Sequence, residues 1–187
     1  PIFRFTADIQ SRRRLGLTAT LVREDGMEGE VFSLIGPKRF DVPWKEIEAQ
    51  GYIAPADCVE VRVTLTDHER LTYATAEQED KYRTCATTAT KKNVVLALAK
   101  QHEDDQVLII GQYISQIDEI AADLSVPIIK GDTPVKEREE LYALFRSGEI
   151  KCLVVSKVAN FSIDLPEASI AIQVRSEERR VGKECRL

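Results

Sequence analysis

Apolar runs and helical patterns alternate through the second half of the chain. Residues 107–110 (VLII) form a continuous apolar run, which is typical of a parallel strand buried on both faces. Apolar residues at helical spacing predict one helix over 114–124 and a second over 134–147, which Thr133 caps and Gly148 ends. Further strands are predicted at 127–129, 152–155 and 168–174. Because parallel strands need crossover connections, this order predicts an α/β fold with a mostly parallel sheet.

The first half of the chain shows shorter patterns. Residues 15–18 (LGLT) predict a short buried strand, and residues 31–34 predict the start of a small strand or a turn. A helix is predicted over 44–50, after Pro43. Strict alternation of apolar and polar residues over 59–65 predicts a strand with one exposed face.

Residues 67–101 are polar and have a helical pattern. Asp67 is predicted to cap a first helix that runs to about Tyr82. A second helix is predicted to carry four apolar residues on one face, namely Val94, Val95, Leu98 and Ala99. We interpret the threonine- and alanine-rich residues 84–90 between the two helices as a weak joint or a mobile insertion.

Small and polar residues follow three of the predicted strands. In parallel sheets, ligands bind beyond the carboxyl ends of the strands. The residues at these ends are Gly111 and Gln112, Gly131 and Asp132, and Ser156 and Lys157. The pattern therefore predicts a ligand site at this edge of the sheet without naming the ligand.

Composition and charge narrow the classes of partner. The 187 residues are 43% hydrophobic and 30% charged, as in ordinary globular proteins, and no apolar run is long enough for a membrane span. We therefore expect a cytoplasmic protein that does not contact membranes. The net charge of −5 excludes nucleic-acid binding through an overall basic field, so such binding requires local patches of placed donors.

The cysteines and histidines predict no metal centre. The four cysteines are widely spaced without any C-x-x-C pair, and the chain has only two histidines. A zinc site needs four such ligands in close clusters, so the thiols are interpreted as reduced cysteines of a cytoplasmic protein. The chain opens in apolar sequence without a methionine, which we interpret as the start of a fragment.

Two strings combine hydroxyl and charged residues after predicted strands. The first runs from Thr18-Ala19-Thr20 into the charged loop Arg23-Glu24-Asp25. On these residues alone, an ordinary strand end with a capping threonine is the simpler interpretation.

The second string, residues 156–166, is more specific. It places hydroxyls, Lys157 and the carboxylate of Asp164 on a loop directly after a buried strand. An aspartate that caps the next turn remains an alternative interpretation of Asp164.

Taken together and in order, these strings resemble the XPB family of superfamily 2 helicases. Residues 18–20 resemble helicase motif III, and residues 23–25 match the Arg-Glu-Asp element that follows it in the family. Residues 107–112 resemble motif IV, and residues 156–166 are similar to motif V. Residues 34–38 and 51–54 match the link that leads out of the family's first RecA-like domain. Gly131, Arg138 and Phe145 match the Gly…Arg…Phe pattern of its second RecA-like domain.

The resemblance implies a motor of two RecA-like domains that binds DNA, with ATP and Mg²⁺ held in the cleft between the domains. It implies catalytic roles for Thr18, Ala19, Thr20 and Asp164, and a role in DNA unwinding for Arg23, Glu24 and Asp25. Contact with nucleic acid is implied for Gly111, Gln112, Gly131, Ser156 and Lys157.

Three elements that such a motor needs do not occur in this sequence. These are the phosphate cradle G-x-x-x-x-G-K-[ST], the magnesium-binding D-E-x-H and the closing arginine motif Q-x-x-G-R-x-x-R. Without cradle, metal ligand and arginine finger, the chain by itself is expected not to hydrolyse ATP.

These patterns predict four segments. Residues 1–65 are the C-terminal part of the first RecA-like domain and its link, 66–90 a helical, thumb-like insertion, and 91–174 an incomplete second RecA-like domain. Residues 175–187 are interpreted as an artefact, a translated sequencing-adapter read. The alternatives are a non-catalytic RecA-like module that binds nucleic acid or a partner, and a nucleotide- or sugar-binding α/β enzyme outside the helicases.

Overall fold

The computed structural model describes residues 13–18, 28–157 and 165–174. The chain divides into two compact units, Pro1–Asp57 and Cys58–Leu187. The adapter-like tail at 175–187 lies outside the described residues, as does most of the string from 156 to 166. A loop is predicted over 19–29, of which 19–27 lie outside the described residues and Glu28 and Gly29 are helical, contrary to that prediction.

The described part of the first unit contains two helices, α1 (Glu28–Ile35) and α2 (Trp44–Ala49). The predicted helix after Pro43 is confirmed, whereas the prediction of a strand or turn at 31–34 is wrong, because this segment is helical. The prediction of a buried strand at 15–18 is also wrong. Leu15 and Leu17 are 83% and 87% exposed and lie in backbone without regular structure. A strand needs a neighbour for its N–H and C=O groups, and the described residues of this unit contain none.

The second unit begins with three helices, α3 (Asp67–Thr75), α4 (Gln78–Ala86) and α5 (Ala89–Gln101). The single helix predicted from Asp67 to about Tyr82 is wrong, because Ala76 and Glu77 are extended and divide it in two. The cap is Thr66 rather than Asp67. Its hydroxyl accepts the Glu69 N–H while the Glu69 carboxylate accepts the Thr66 N–H, which is a capping box.

The alternating residues 59–65 do not form the predicted strand. They contain one isolated bridge at Arg62, and Val59 is 84% exposed. Alternation indicates a half-buried strand only where a sheet is available to receive it, and these residues pair with none of the described strands.

The remainder of the unit is a parallel sheet with its crossover helices. Its elements are β1 (Val107–Gly111), α6 (Ile114–Leu124), β2 (Ile128–Ile129), α7 (Val135–Ser147), β3 (Cys152–Ser156) and β4 (Ile170–Val174). The strands are all parallel, in the order β2-β3-β1-β4. The predicted α/β class, parallel sheet and strand positions are confirmed.

Apolar side chains cover both faces of the sheet. On one face Val95 and Ala99 of α5 and Ile117 of α6 pack against β1, β3 and β4. On the other face Phe145 of α7 packs against β1, β2 and β3. Burial on both faces explains why these strands appear in the sequence as continuous apolar runs.

α7 ends at the predicted residue, but its N-terminal cap is not the predicted one. Gly148 ends the helix in the left-handed conformation, at φ 78°, as predicted. Thr133 is not the cap, because Pro134 occupies that position. The Thr133 hydroxyl instead accepts the N–H of Lys130 at 2.9 Å and closes the turn after β2.

Candidate functional site

Four of the predicted ligand-site residues meet where β1 and β3 end. Gly111 and Ser156 are direct neighbours in the register of the two strands. The Lys157 N–H donates to the Gly111 carbonyl at 2.8 Å and continues the pairing by one residue. Ser156 is buried, whereas Gln112 and Lys157 are exposed. This edge therefore presents a cation and an amide to solvent beside a buried hydroxyl.

Gly111 lies against the first turn of α6. A Cβ at this position would be 2.1 Å from Cγ2 of Ile117, a side chain without exposed surface. The end of β1 and the beginning of α6 are therefore packed without any free space, and only glycine fits.

The turn after β2 places Gly131 at the same edge of the sheet. Ile129 pairs with Val155, the residue before Ser156, so Gly131 follows on the other side of β3. Arg138 of α7 holds this turn, since its Nη2 donates to the Thr133 carbonyl at 3.0 Å and lies 3.5 Å from the carbonyls of Lys130 and Gly131. The Gly…Arg spacing seen in the sequence thus corresponds to a direct contact.

Two lysines neutralise the acidic side of α6. Lys130 Nζ is 2.6 Å from Asp118, and the hydrogen bond to this carboxylate raises the pKa of Lys130. Lys92 Nζ is 3.2 Å from both Glu119 and Asp123, and the hydrogen bonds to Glu119 and then to Asp123 raise the pKa of Lys92. Both amines remain protonated at neutral pH and tie α6 to its neighbours.

Lys157 differs from these two lysines. No carboxylate in the described parts of the chain forms an ion pair with its amine. An exposed ammonium group at a strand end suits a phosphate group.

The other predicted site residues are not brought to this edge. Thr18 is exposed and belongs to the first unit. Ala19, Thr20, Arg23, Glu24, Asp25 and Asp164 lie outside the described residues. Their proposed roles rest on the resemblance alone.

Sequence reasoning missed a group of buried polar residues. Besides Ser156, the buried polar or charged residues of the described chain are Thr88, Lys91 and Gln116. Lys91 has no exposed surface, and nothing in the pattern of its helix indicated this, because a lysine at a helix start is usually solvated. The weak joint or mobile insertion predicted at 84–90 is wrong for most of its length, because 84–86 belong to α4 and 89–90 to α5. Only Thr87 and Thr88 lie between the helices, and Cys85, Ala86 and Thr88 are buried.

The described residues contain no cluster of potential metal ligands. Within residues 13–18, 28–157 and 165–174, no three His, Cys, Asp or Glu side chains cluster closely enough to hold a metal ion. None of the helices in these ranges is long and apolar enough to cross a membrane.

A two-sided parallel α/β sheet with phosphate-compatible groups at its carboxyl edge defines a class of ligand-binding domains. Within that class, residues 47–186 match the family model described as the ERCC3/RAD25/XPB C-terminal helicase. The chain belongs to this family of XPB-type helicases, as the sequence motifs predict.

Relatives from several organisms match almost the whole chain. The chain is 66% identical to the DNA 3'-5' helicase XPB of Kineococcus radiotolerans and 61% identical to that of Mycobacterium tuberculosis, and each alignment covers 98% of this chain. It is 33% identical, over 96% of its length, to the general transcription and DNA repair factor IIH helicase/translocase subunit XPB/SSL2 of Saccharomyces cerevisiae. These alignments cover 34%, 35% and 22% of the relatives, so the chain spans about a third or less of their length.

Among solved structures, the Pyrococcus furiosus Hef helicase domain aligns with 44% of this chain and 19% of its own, at 16% identity and a TM-score of 0.37. This likeness is too slight to inform either fold or function.

Proposed function

We propose that this chain is the C-terminal motor part of an ATP-driven DNA 3'-5' helicase or translocase that acts in DNA repair or transcription. The main observation in support of this proposal is that Gly111, Ser156 and Lys157 lie at one edge of a parallel sheet in a chain of the XPB family. The names of the relatives, which specify DNA helicases of these kinds, support the proposal.

The strand ends serve as the contact with the nucleic-acid backbone. Lys157 supplies a cation and Gln112 an amide, and the exposed Gly131 lies in the turn beside them. This arrangement reconciles DNA binding with a net charge of −5, because a few placed donors suffice where an overall basic field is absent.

The remaining motif residues have roles that only the family resemblance supports. Thr18, Ala19, Thr20 and Asp164 act near the nucleotide, and Arg23, Glu24 and Asp25 couple its turnover to strand separation. Arg23→Ala or Asp25→Ala is accordingly expected to reduce unwinding more than hydrolysis.

ATP and Mg²⁺ require groups that this chain does not supply. The cradle, the acidic metal motif and the arginine finger are absent from the sequence, and no three side chains of the described residues cluster closely enough to hold a metal ion. We therefore place phosphate and metal binding in other parts of the longer protein, with this chain providing DNA contacts and the surfaces that respond to the nucleotide.

The test begins with the source gene. Sequencing through both ends of this reading frame should reveal G-x-x-x-x-G-K-[ST] and D-E-x-H upstream, and an arginine motif in place of residues 175–187. The uninterrupted protein should then hydrolyse ATP faster when DNA is added, whereas the 187-residue chain alone should not hydrolyse it.

Other outcomes would favour the alternative function, a non-catalytic RecA-like module that binds nucleic acid or a partner. A start codon directly before Pro1 with a stop codon after Leu187, together with DNA binding that ATP does not alter, would replace the motor with a non-catalytic module. Nucleotide or sugar binding at Gly111 or Gly131 without any response to DNA would contradict both the helicase and the non-catalytic binding module.

A further inference from the structure

Gln116 lies between the end of α4 and the end of β1. It belongs to the first turn of α6 and is only 4% exposed. Its Nε2 donates a hydrogen bond to the carbonyl of Ala86, the last residue of α4. Its Oε1 lies on the side of β1, since a Cβ at Gly111 would be 3.7 Å from it. One amide group therefore touches both the helical segment and the strand end.

The bond to Ala86 satisfies a helix end. The last carbonyls of a helix have no partner within it and carry partial negative charge, so a donor there fixes where the helix ends. Ala86 has no exposed surface, and water therefore does not replace Gln116. Because α4 packs against α3, this bond anchors the segment 67–86, which makes up most of the thumb-like insertion predicted at 66–90.

The stability of the fold does not explain the Oε1 atom of Gln116. Gln116 Oε1 is buried and has no hydrogen-bond partner among the described residues. A buried acceptor without a partner destabilises a fold, and this cost opposes the stabilisation that the Nε2 bond gives to the end of α4. The unpartnered oxygen on the side of Gly111 is therefore the feature of Gln116 that the anchoring of α4 does not explain.

The packing at Gly111 provides a path for movement. There is no free space between the end of β1 and the first turn of α6, so a displacement of the strand end must displace that turn as well. Gln116 is in that turn and passes the displacement to Ala86. Lys92, bridged to Glu119 and Asp123, keeps α5 fixed to α6 at the same time.

We propose that Gln116 is a positioning residue that couples DNA contact at the ends of β1 and β3 to the placement of the helical segment 67–86. This inference rests on the proposed function, because it assigns the strand ends to DNA. Gln116 touches neither DNA nor nucleotide in this role and acts through Ala86.

The test compares two glutamine-to-methionine variants in the uninterrupted helicase. Gln116→Met should reduce the stimulation of ATP hydrolysis by DNA at least about fivefold, the range of ordinary coupling between sites. Hydrolysis without DNA should be unchanged, and the melting temperature should stay within about 4 °C. The matched control is Gln106→Met, since Gln106 Nε2 also donates to a carbonyl near a helix end, that of Phe145, but at the opposite edge of the sheet. It should leave DNA stimulation intact.

Two results would overturn the coupling role. The first is that DNA stimulates ATP hydrolysis in Gln116→Met as strongly as in the unsubstituted protein. The second is that hydrolysis with DNA and hydrolysis without DNA fall together while the melting temperature also falls, which would indicate a structural role. Hydrogen exchange in the 187-residue chain separates this inference from the proposed function. Amides at 84–90 should exchange faster in Gln116→Met but not in Gln106→Met. Equal exchange in the two variants would show that Gln116 does not hold the end of α4, whether or not the longer protein is a helicase.

Discussion

At the scale of single residues, the carboxyl edge of the sheet depends on side chains that are small or absent. Gly111 is required by the proximity of Ile117, not by an unusual backbone angle, and Ser156 fills the neighbouring position on β3 while remaining buried. The sequence indicated both residues as site residues from their place after a strand. It could not indicate Gln116, because a glutamine in a first helical turn is ordinarily exposed, and its burial follows from the docking of α4 thirty positions earlier.

The packing at Gly111 predicts the effect of one added methyl group. Gly111→Ala should lower the free energy of unfolding by about 1–3 kcal/mol, because Ile117 must move away from the new Cβ. Urea unfolding monitored by circular dichroism would measure it. Gly29→Ala is the control, since nothing lies within 4 Å of a Cβ added there, and a helical alanine should be neutral or slightly stabilising. Equal stability of Gly111→Ala and the unsubstituted chain would show that the strand end has room.

At the scale of elements, local patterns predicted a structure wherever long-range packing agreed with them. Residues 107–110 form a strand because β3 and β4 flank them. Residues 15–18 and 59–65 have patterns of comparable clarity but no strand beside them among the described residues, and they form none. The division of 67–82 into two helices at Ala76 and Glu77 has no glycine or proline to signal it, so composition could not reveal it.

The turn between β2 and α7 depends on Arg138. Replacing it in Arg138→Met removes the donor to the Thr133 carbonyl and should raise hydrogen exchange of the amides at 130–133 by about 2- to 10-fold, as expected for one lost hydrogen bond. The control is Lys136→Met in the same helix, where the side chain is 91% exposed and pairs only with Glu140 at 3.9 Å. Comparable exchange in the two variants would mean that Thr133 and Lys130 hold the turn without the arginine.

At the scale of the whole molecule, an acidic chain is expected to bind DNA through a small number of contacts. The fold class and the adjacent positions of Gly111 and Ser156 could be predicted from the sequence because both depend on the order of strands and helices. The residues 19–27 and 158–164, which carry much of the family resemblance, lie outside the described structure, so their roles remain predictions.

The proposed DNA contact predicts a specific salt dependence. In the uninterrupted protein, Lys157→Ala should weaken DNA binding similarly for all sequences and reduce the slope of log K against log salt by about 1, as for one lost phosphate contact. Fluorescence anisotropy over a salt series would measure the slope. Lys100→Ala is the control, since Lys100 is exposed in the last turn of α5, at the other edge of the sheet. An unchanged slope in Lys157→Ala would remove this lysine from the interface.

The strand order β2-β3-β1-β4 also determines when this domain can assemble during biosynthesis. Among the described strands, β1 pairs with β3 and β4, and β2 pairs with β3, so neither of the first two has a partner from this group until the third has been made. The stretch from Gly111 to Cys152 takes roughly 2–8 s to translate at about 5–20 residues per second. During that interval a nascent chain displays an apolar strand with two unpaired edges, which chaperones bind and which other nascent chains can capture. Ribosome-bound chains that stop before β3 should therefore be far more prone to aggregation than those that extend beyond β4.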